Sequence, residues 1–165
     1  MPPLHPDQRV AVLADARNLY HTSHSLYSRN VDYTELLDTA VQDRRLVRAI
    51  AYVVRAHAPE EESFFDALDD IGFETRIKDL KTFSDGTKKA DWDVGISLDA
   101  VTLAEKVDTI VICSGDGDFT RLCSHIRHEG TRVEVMSFGP STAETLVEAA
   151  DSFVDLSEQK ERFLL

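Results

Sequence analysis

Residues 110–119 read IVICSGDGDF, a short aliphatic run that stops on two aspartates. An unbroken run of this kind describes a strand buried on both faces, as found inside a helix-covered parallel sheet. Asp116 and Asp118 then need a reason to stand at its end. Most Asp/Gly stretches are turns; the alternative is that two carboxylates are held at a sheet edge because something positive binds there.

Outward from this run, strand and helix signals alternate. Strand-like runs occupy 9–15, 46–56, 73–80, 108–114 and 131–138, with 152–156 as a short final strand. Helical patterns lie between them at 32–41, 60–72, 91–106, 119–130 and 141–150, with Gly72 and Gly130 as C-terminal stops. Residues 81–91, KTFSDGTKKAD, read as a polar loop around the turn pair Asp85-Gly86. Such alternation implies an α/β domain of three layers, a central parallel sheet with helices on both faces and right-handed crossovers. Fold class, not periodicity, supplies the strand order 3-2-1-4-5. The chain is expected to be a single domain over 1–165, with its core at about 10–156 and residues 157–165 as a peripheral helix or a frayed tail that could pack on a second subunit as a homodimer.

In a sheet of this order every strand delivers its C-terminal end to one edge, and the crevice opens where the order reverses, between strands one and four. Asp15 closes strand one, Asp116 and Asp118 follow strand four, and Asp91 and Asp93 begin the helix that leads into strand four. Within that helix, Asp93 is expected to point to the crevice while Val94 and Leu98, four apart, face the sheet. Carboxylates crowded without compensation raise one another's pKa and weaken the fold. A hard divalent cation relieves them, and an aspartate set that retains waters suits Mg2+ or Mn2+.

Two other motif readings fail on the residues. An EF-hand loop starting at Asp116 needs glycine and glutamate where the chain has Arg121 and Arg127. DGDFT, 116–120, matches the DxDxT pattern of haloacid-dehalogenase-type phosphatases, but fewer than fifty residues remain for the rest of that machinery.

Bulk composition sets the outer limits. A formal net charge of −12 excludes a broad basic groove. It lowers the case for nucleic acid without closing it, because salt screens the global field over about 8–10 Å and local cations can reverse it. No run is long and apolar enough to span a bilayer, and the opening residues carry no signal-peptide pattern, so a cytoplasmic chain without membrane contact is expected. Cys113 and Cys123 fall in an apolar strand and a helix, which describes buried reduced thiols.

ADARNLY near the start, KKADWDVGISLDA in the middle and VICSGDGDF towards the end occur in an order and at distances that resemble the NYN domain of the PIN-like nuclease superfamily, in particular its LabA-like branch. The likeness covers roughly residues 10–156. It implies a Rossmann-like sheet in the order 3-2-1-4-5 and a metal site of aspartates at Asp15, Asp93, Asp116 and Asp118. Asn18 would support that site or touch substrate. Asp91 competes with Asp93 for the helix role, and Asp99, on another face of the same helix, ranks as supporting or surface.

The implied activity is metal-dependent hydrolysis of a phosphodiester, foremost by endonucleolytic cleavage of single-stranded RNA. Arg17, Lys88, Lys89 and Arg121 are the nearby basic residues, each with a plainer reading as a solvated charge, and Arg17 and Lys89 are the strongest candidates for substrate contact. Ser114 is expected to hydrogen-bond backbone or a ligand carboxylate, and Trp92 to pack beside the site rather than stack a base. The rival reading is a regulatory or binding module that keeps the acidic metal pocket and performs no chemistry.

Overall fold

Residues 5–165 are described by a computed structural model. β1 (Arg9–Asp15) leads into α1 (Ala16–Tyr27) and α2 (Tyr33–Val41), β2 (Arg45–Arg55) into α3 (Glu61–Ile71), and β3 (Glu74–Asp79) into a hairpin of β4 (Lys81–Thr82) and β5 (Lys88–Lys89) followed by α4 (Asp93–Ala104). β6 (Thr109–Cys113) precedes α5 (Thr120–His128), β7 (Arg132–Ser137) precedes α6 (Glu144–Ala149), and β8 (Ser152–Asp155) precedes α7 (Lys160–Phe163). The large sheet runs β3-β2-β1-β6-β7-β8, parallel at every pairing. The expected order is therefore present, with the short final strand added beyond β7.

Alternation along each strand splits the core in two. Val10, Val12, Ala14, Val111 and Cys113 point to the face covered by α1, α2, α3 and α7, while Ala11, Leu13, Ile110 and Ile112 point to α4, α5 and α6. Because both faces are covered, the central strands carry no polar alternation, which is why they read as continuous apolar runs.

Three local expectations are corrected. Residues 81–91 are not all loop, since Thr82 pairs with Lys88 and Lys81 with Lys89 in an antiparallel hairpin. Val94 and Leu98 do not face the sheet: they are 71% and 65% exposed, and Ile96, Ala100 and Leu103 are buried in their place. At about 100° per residue, a helix that turns Asp93 inward must turn Val94 aside. The tail is not peripheral either. Phe163 is 1% exposed and joins the core beside α2. Asp32 and Leu165 donate backbone N–H groups to Phe163 and Asn30, and Arg29 donates to the carbonyls of Leu164 and Leu165. Phe163 and Leu164 therefore serve their own chain, while Leu165 stays 70% exposed.

Gly95 sits inside α4 although glycine weakens helices, and Trp92 is the reason. A Cβ at Gly95 would stand 2.6 Å from Trp92 Cε3, while the indole N–H is anchored on the Val53 carbonyl at 2.9 Å. In an exposed helix Gly→Ala gains about 1 kcal/mol. Here overpacking costs about 1–3 kcal/mol, so Gly95→Ala is expected to lower the unfolding free energy in a urea titration. A rise of about 1 kcal/mol would mean that Trp92 swings away freely.

Candidate metal centre

The C-terminal ends of β1 and β6 are neighbours in the sheet, and the acids gather at their edge. Asp15, the last residue of β1, caps α1: its Oδ1 accepts the Asn18 N–H at 3.3 Å. Its Oδ2 accepts the Ser114 hydroxyl at 3.1 Å, and the same Ser114 Oγ accepts the Asp116 N–H at 3.2 Å. Asn18 returns across the crevice, its Oδ1 accepting the Gly115 N–H at 3.0 Å. Asn18 and Ser114 thus stitch the loop after β6 to the start of α1.

The residues after β6 then curl tightly. Asp116 Oδ1 accepts the Asp118 N–H at 2.9 Å and opens a 3-10 turn over Gly117–Phe119. Gly115 makes that path close, since a Cβ there would stand 2.7 Å from Ser137 Oγ and 3.0 Å from the Ser141 carbonyl oxygen. From the opposite side α4 supplies Asp93, whose N–H is capped by Asp91 Oδ1 at 3.2 Å.

One carboxylate oxygen from each of Asp93, Asp116 and Asp118 lies within 4.8 Å of the others. Asp15 stands outside that trio but close enough for its charge to act on Asp93, while that of Asp116 acts on Asp15. Among the described residues none of these four acids forms an ion pair. The consequence is visible in the protonation of Asp15 and Asp93. Burial, reinforced by Asp116, pushes Asp15 up to about 6 against the opposing hydrogen bonds of Asn18 and Ser114. Burial first, then the charges of Asp116, Asp91, Asp15 and Asp118, pushes Asp93 up to about 7. An all-oxygen, uncompensated donor set fits a hard divalent cation.

The remaining candidates divide. Arg17 is half-buried on α1, and its charge acts on Asp15. Asp91 caps α4 from an exposed position. Asp99 is drawn away from the acids, accepting the Tyr52 hydroxyl at 2.7 Å and pairing with Arg76 at 3.4 Å. Arg121 is exposed on α5 without an ion pair among the described residues. Lys88 is exposed on the hairpin, and the Lys89 side chain lies outside the described residues. Lys78 was invisible as a site residue: its Nζ donates to the Asp91 carbonyl at 2.7 Å and sits 4.4 Å above the Trp92 ring. Only the register of β3 against β2 brings it there. A surface depression of about 520 Å3 beside Ser124, Arg127 and Asp151 shares no residue with the acids.

The protonation of Asp15 and Asp93 gives a measurable pH dependence. Their folded values lie above the ordinary 3.8, so their contribution is fully present below 3.8 and is lost as pH rises through about 6 and about 7. Two pKa units at Asp15 amount to about 3 kcal/mol; Asp93, more exposed, adds less than its shift suggests. In EDTA the thermal midpoint is expected to fall on the order of 10 °C between pH 5 and pH 8. Added Mn2+ should raise it more at pH 8 than at pH 5. Equal cation effects at both pH values would mean that these acids do not bind it.

The NYN domain family model matches residues 9–157. The chain is 34% identical over 158 residues to the low amplitude and bright protein LabA of Synechococcus elongatus, covering 91% of this chain and 84% of that protein. A solved structure of a protein of unknown function from Vibrio parahaemolyticus superposes with a TM-score of 0.89 at 35% identity, covering 99% of this chain and 100% of the other.

Proposed function

The chain belongs to the NYN domain family, and on that premise we propose that it is a metal-dependent nuclease, specifically an endoribonuclease that cleaves single-stranded RNA with Mg2+ or Mn2+. The observation that carries this reading is the approach of Asp93, Asp116 and Asp118 to within 4.8 Å, with the charge of Asp15 acting on Asp93 and no cationic side chain paired to any of the four among the described residues.

Asp93, Asp116 and Asp118 would hold the ion, with Asp15 adding negative charge from behind. When bound, the ion supplies Lewis acidity towards the phosphate oxygens and towards water. The protein does the placing. Asn18 and Ser114 fix Asp15 and the loop after β6, and Trp92 and Asp91 fix the start of α4. The chain's own part in the hydrolysis would be to accept the attacking water's proton on a carboxylate oxygen while water adds in line to phosphorus, the P–O bond to the leaving ribose oxygen breaks, and that oxygen takes a proton from solvent. Asp118 is the member of the set most open to solvent.

The test is incubation of the purified protein with end-labelled single-stranded RNA in Mg2+, in Mn2+ and in EDTA. Cleavage with either metal and none in EDTA is expected. Intact RNA across metals and substrates would overturn the proposal in favour of the non-catalytic NYN module, the reading that the net charge of −12 favours.

A further inference from the structure

We propose that the β4–β5 hairpin grips a single-stranded nucleic acid beside the acids, with Lys81 and Lys88 on its phosphates and Phe83 as the platform for a base. The inference rests on the nuclease reading, since it names the element that would hold that enzyme's substrate.

Charge is the first observation. Residues 78–89 hold four of the chain's six lysines against two aspartates, so the other 153 residues carry a net charge of −14. This run is the chain's main concentration of lysine, in a protein that is otherwise acidic. Because salt limits the reach of each charge to about 8–10 Å, lysines must sit near the strand they hold. The hairpin follows β3 at the edge where the acids gather, and Asp93 comes five positions after Lys88, which keeps their Cα atoms within about 18 Å.

Availability is the second. Lys81 and Lys88 are exposed, and neither forms an ion pair among the described residues. Asp85 forms no ion pair with either lysine among the described residues and turns its Oδ1 to Thr87, accepting the N–H at 3.0 Å and the hydroxyl at 2.7 Å. The turn is closed by Phe83 N–H to the Thr87 carbonyl at 2.7 Å and by Gly86, whose φ of +88° only glycine adopts without strain. Phe83 itself is 50% exposed and pairs with no other aromatic ring among the described residues. An aromatic ring flanked by free lysines on a projecting ribbon is the arrangement that holds single strands, by stacking and phosphate contact.

The test uses the full chain carrying Asp116→Asn, so that oligonucleotides survive, and fluorescence anisotropy with labelled single strands of about 16 nucleotides, as RNA and as DNA. Lys81→Glu with Lys88→Glu is compared with Lys106→Glu and Lys160→Glu, which change net charge equally but lie outside the hairpin. The hairpin pair should weaken binding at least about tenfold and reduce the slope of log affinity against log salt by about 1.4, roughly 0.7 per lost phosphate contact. Phe83→Ala should weaken it at least about fivefold. The control pair should leave affinity within about twofold. Equal loss in both lysine pairs, an unaffected Phe83→Ala, or no binding of either nucleic acid at low salt would overturn the assignment. If the unsubstituted protein leaves RNA intact while hairpin-dependent binding persists, the nuclease reading falls and the hairpin assignment stands. Cleavage together with binding that ignores the hairpin sinks the assignment alone.

Discussion

Asp116→Asn is expected to lose RNA cleavage by more than about 100-fold, above the upper end of what losing a residue that merely supports a metal ligand costs, while the metal-free fold becomes more stable. The two effects have one cause. Asparagine keeps an Oδ1 to accept the Asp118 N–H, so the 3-10 turn persists, but it removes the charge that acts on both Asp15 and Asp93. Those two acids should then ionise closer to the ordinary range, and the fall of stability with rising pH in EDTA should flatten. Parallel measurements of cleavage in Mn2+ and of thermal midpoints at pH 8 in EDTA check both halves. A variant that cleaves undiminished removes Asp116 from the chemistry; one that loses both activity and midpoint reports simple misfolding.

The second large effect is structural and lies away from the acids. Arg44 is buried, and its guanidinium meets Glu134 through two bonds, Nη1 to Oε2 at 2.8 Å and Nη2 to Oε1 at 2.9 Å, with further donations to the carbonyls of Ala40 and Val41. Arg132 adds a bond to Glu134 at 2.9 Å. Burial would push Glu134 up, yet the hydrogen bonds and charges of the two arginines together hold it below its ordinary value. This contribution is present above the ordinary 4.5 and is lost as pH falls through the lower folded value, opposite in sign to Asp15 and Asp93. Glu134→Gln strands a buried guanidinium, and about 3–5 kcal/mol of unfolding free energy should disappear in a denaturant titration. A loss below about 1 kcal/mol would mean that water reaches Arg44. Cleavage per folded molecule should be unchanged, which separates this variant from Asp116→Asn.

Neither Arg44 nor Glu134 stood out in the sequence, because a charged residue in the bend before a strand or within one looks like a surface position until the fold closes over it. The same holds for Val94 and Leu98: their spacing marks an apolar helical stripe, but only the demand that Asp93 face the acids decides that this stripe turns outward. Phe163 and Leu164 are the converse, a terminal pair with no periodic context that the fold buries against α2.

The sequence by itself determined the α/β alternation, the parallel sheet and the segments that deliver acids to one edge. These follow from local chemistry: unbroken aliphatic runs, glycine stops and carboxylates at strand ends have the same consequence wherever they occur. Tertiary structure alone decided which acids stand together, grouping Asp93, Asp116 and Asp118 and setting Asp15 behind them under Ser114 and Asn18. It also placed Lys78 over Trp92 and made a ribbon of residues expected to be loop. Distances between side chains far apart in the chain depend on how helices rotate against the sheet, and that rotation is fixed by packing, which no single segment encodes.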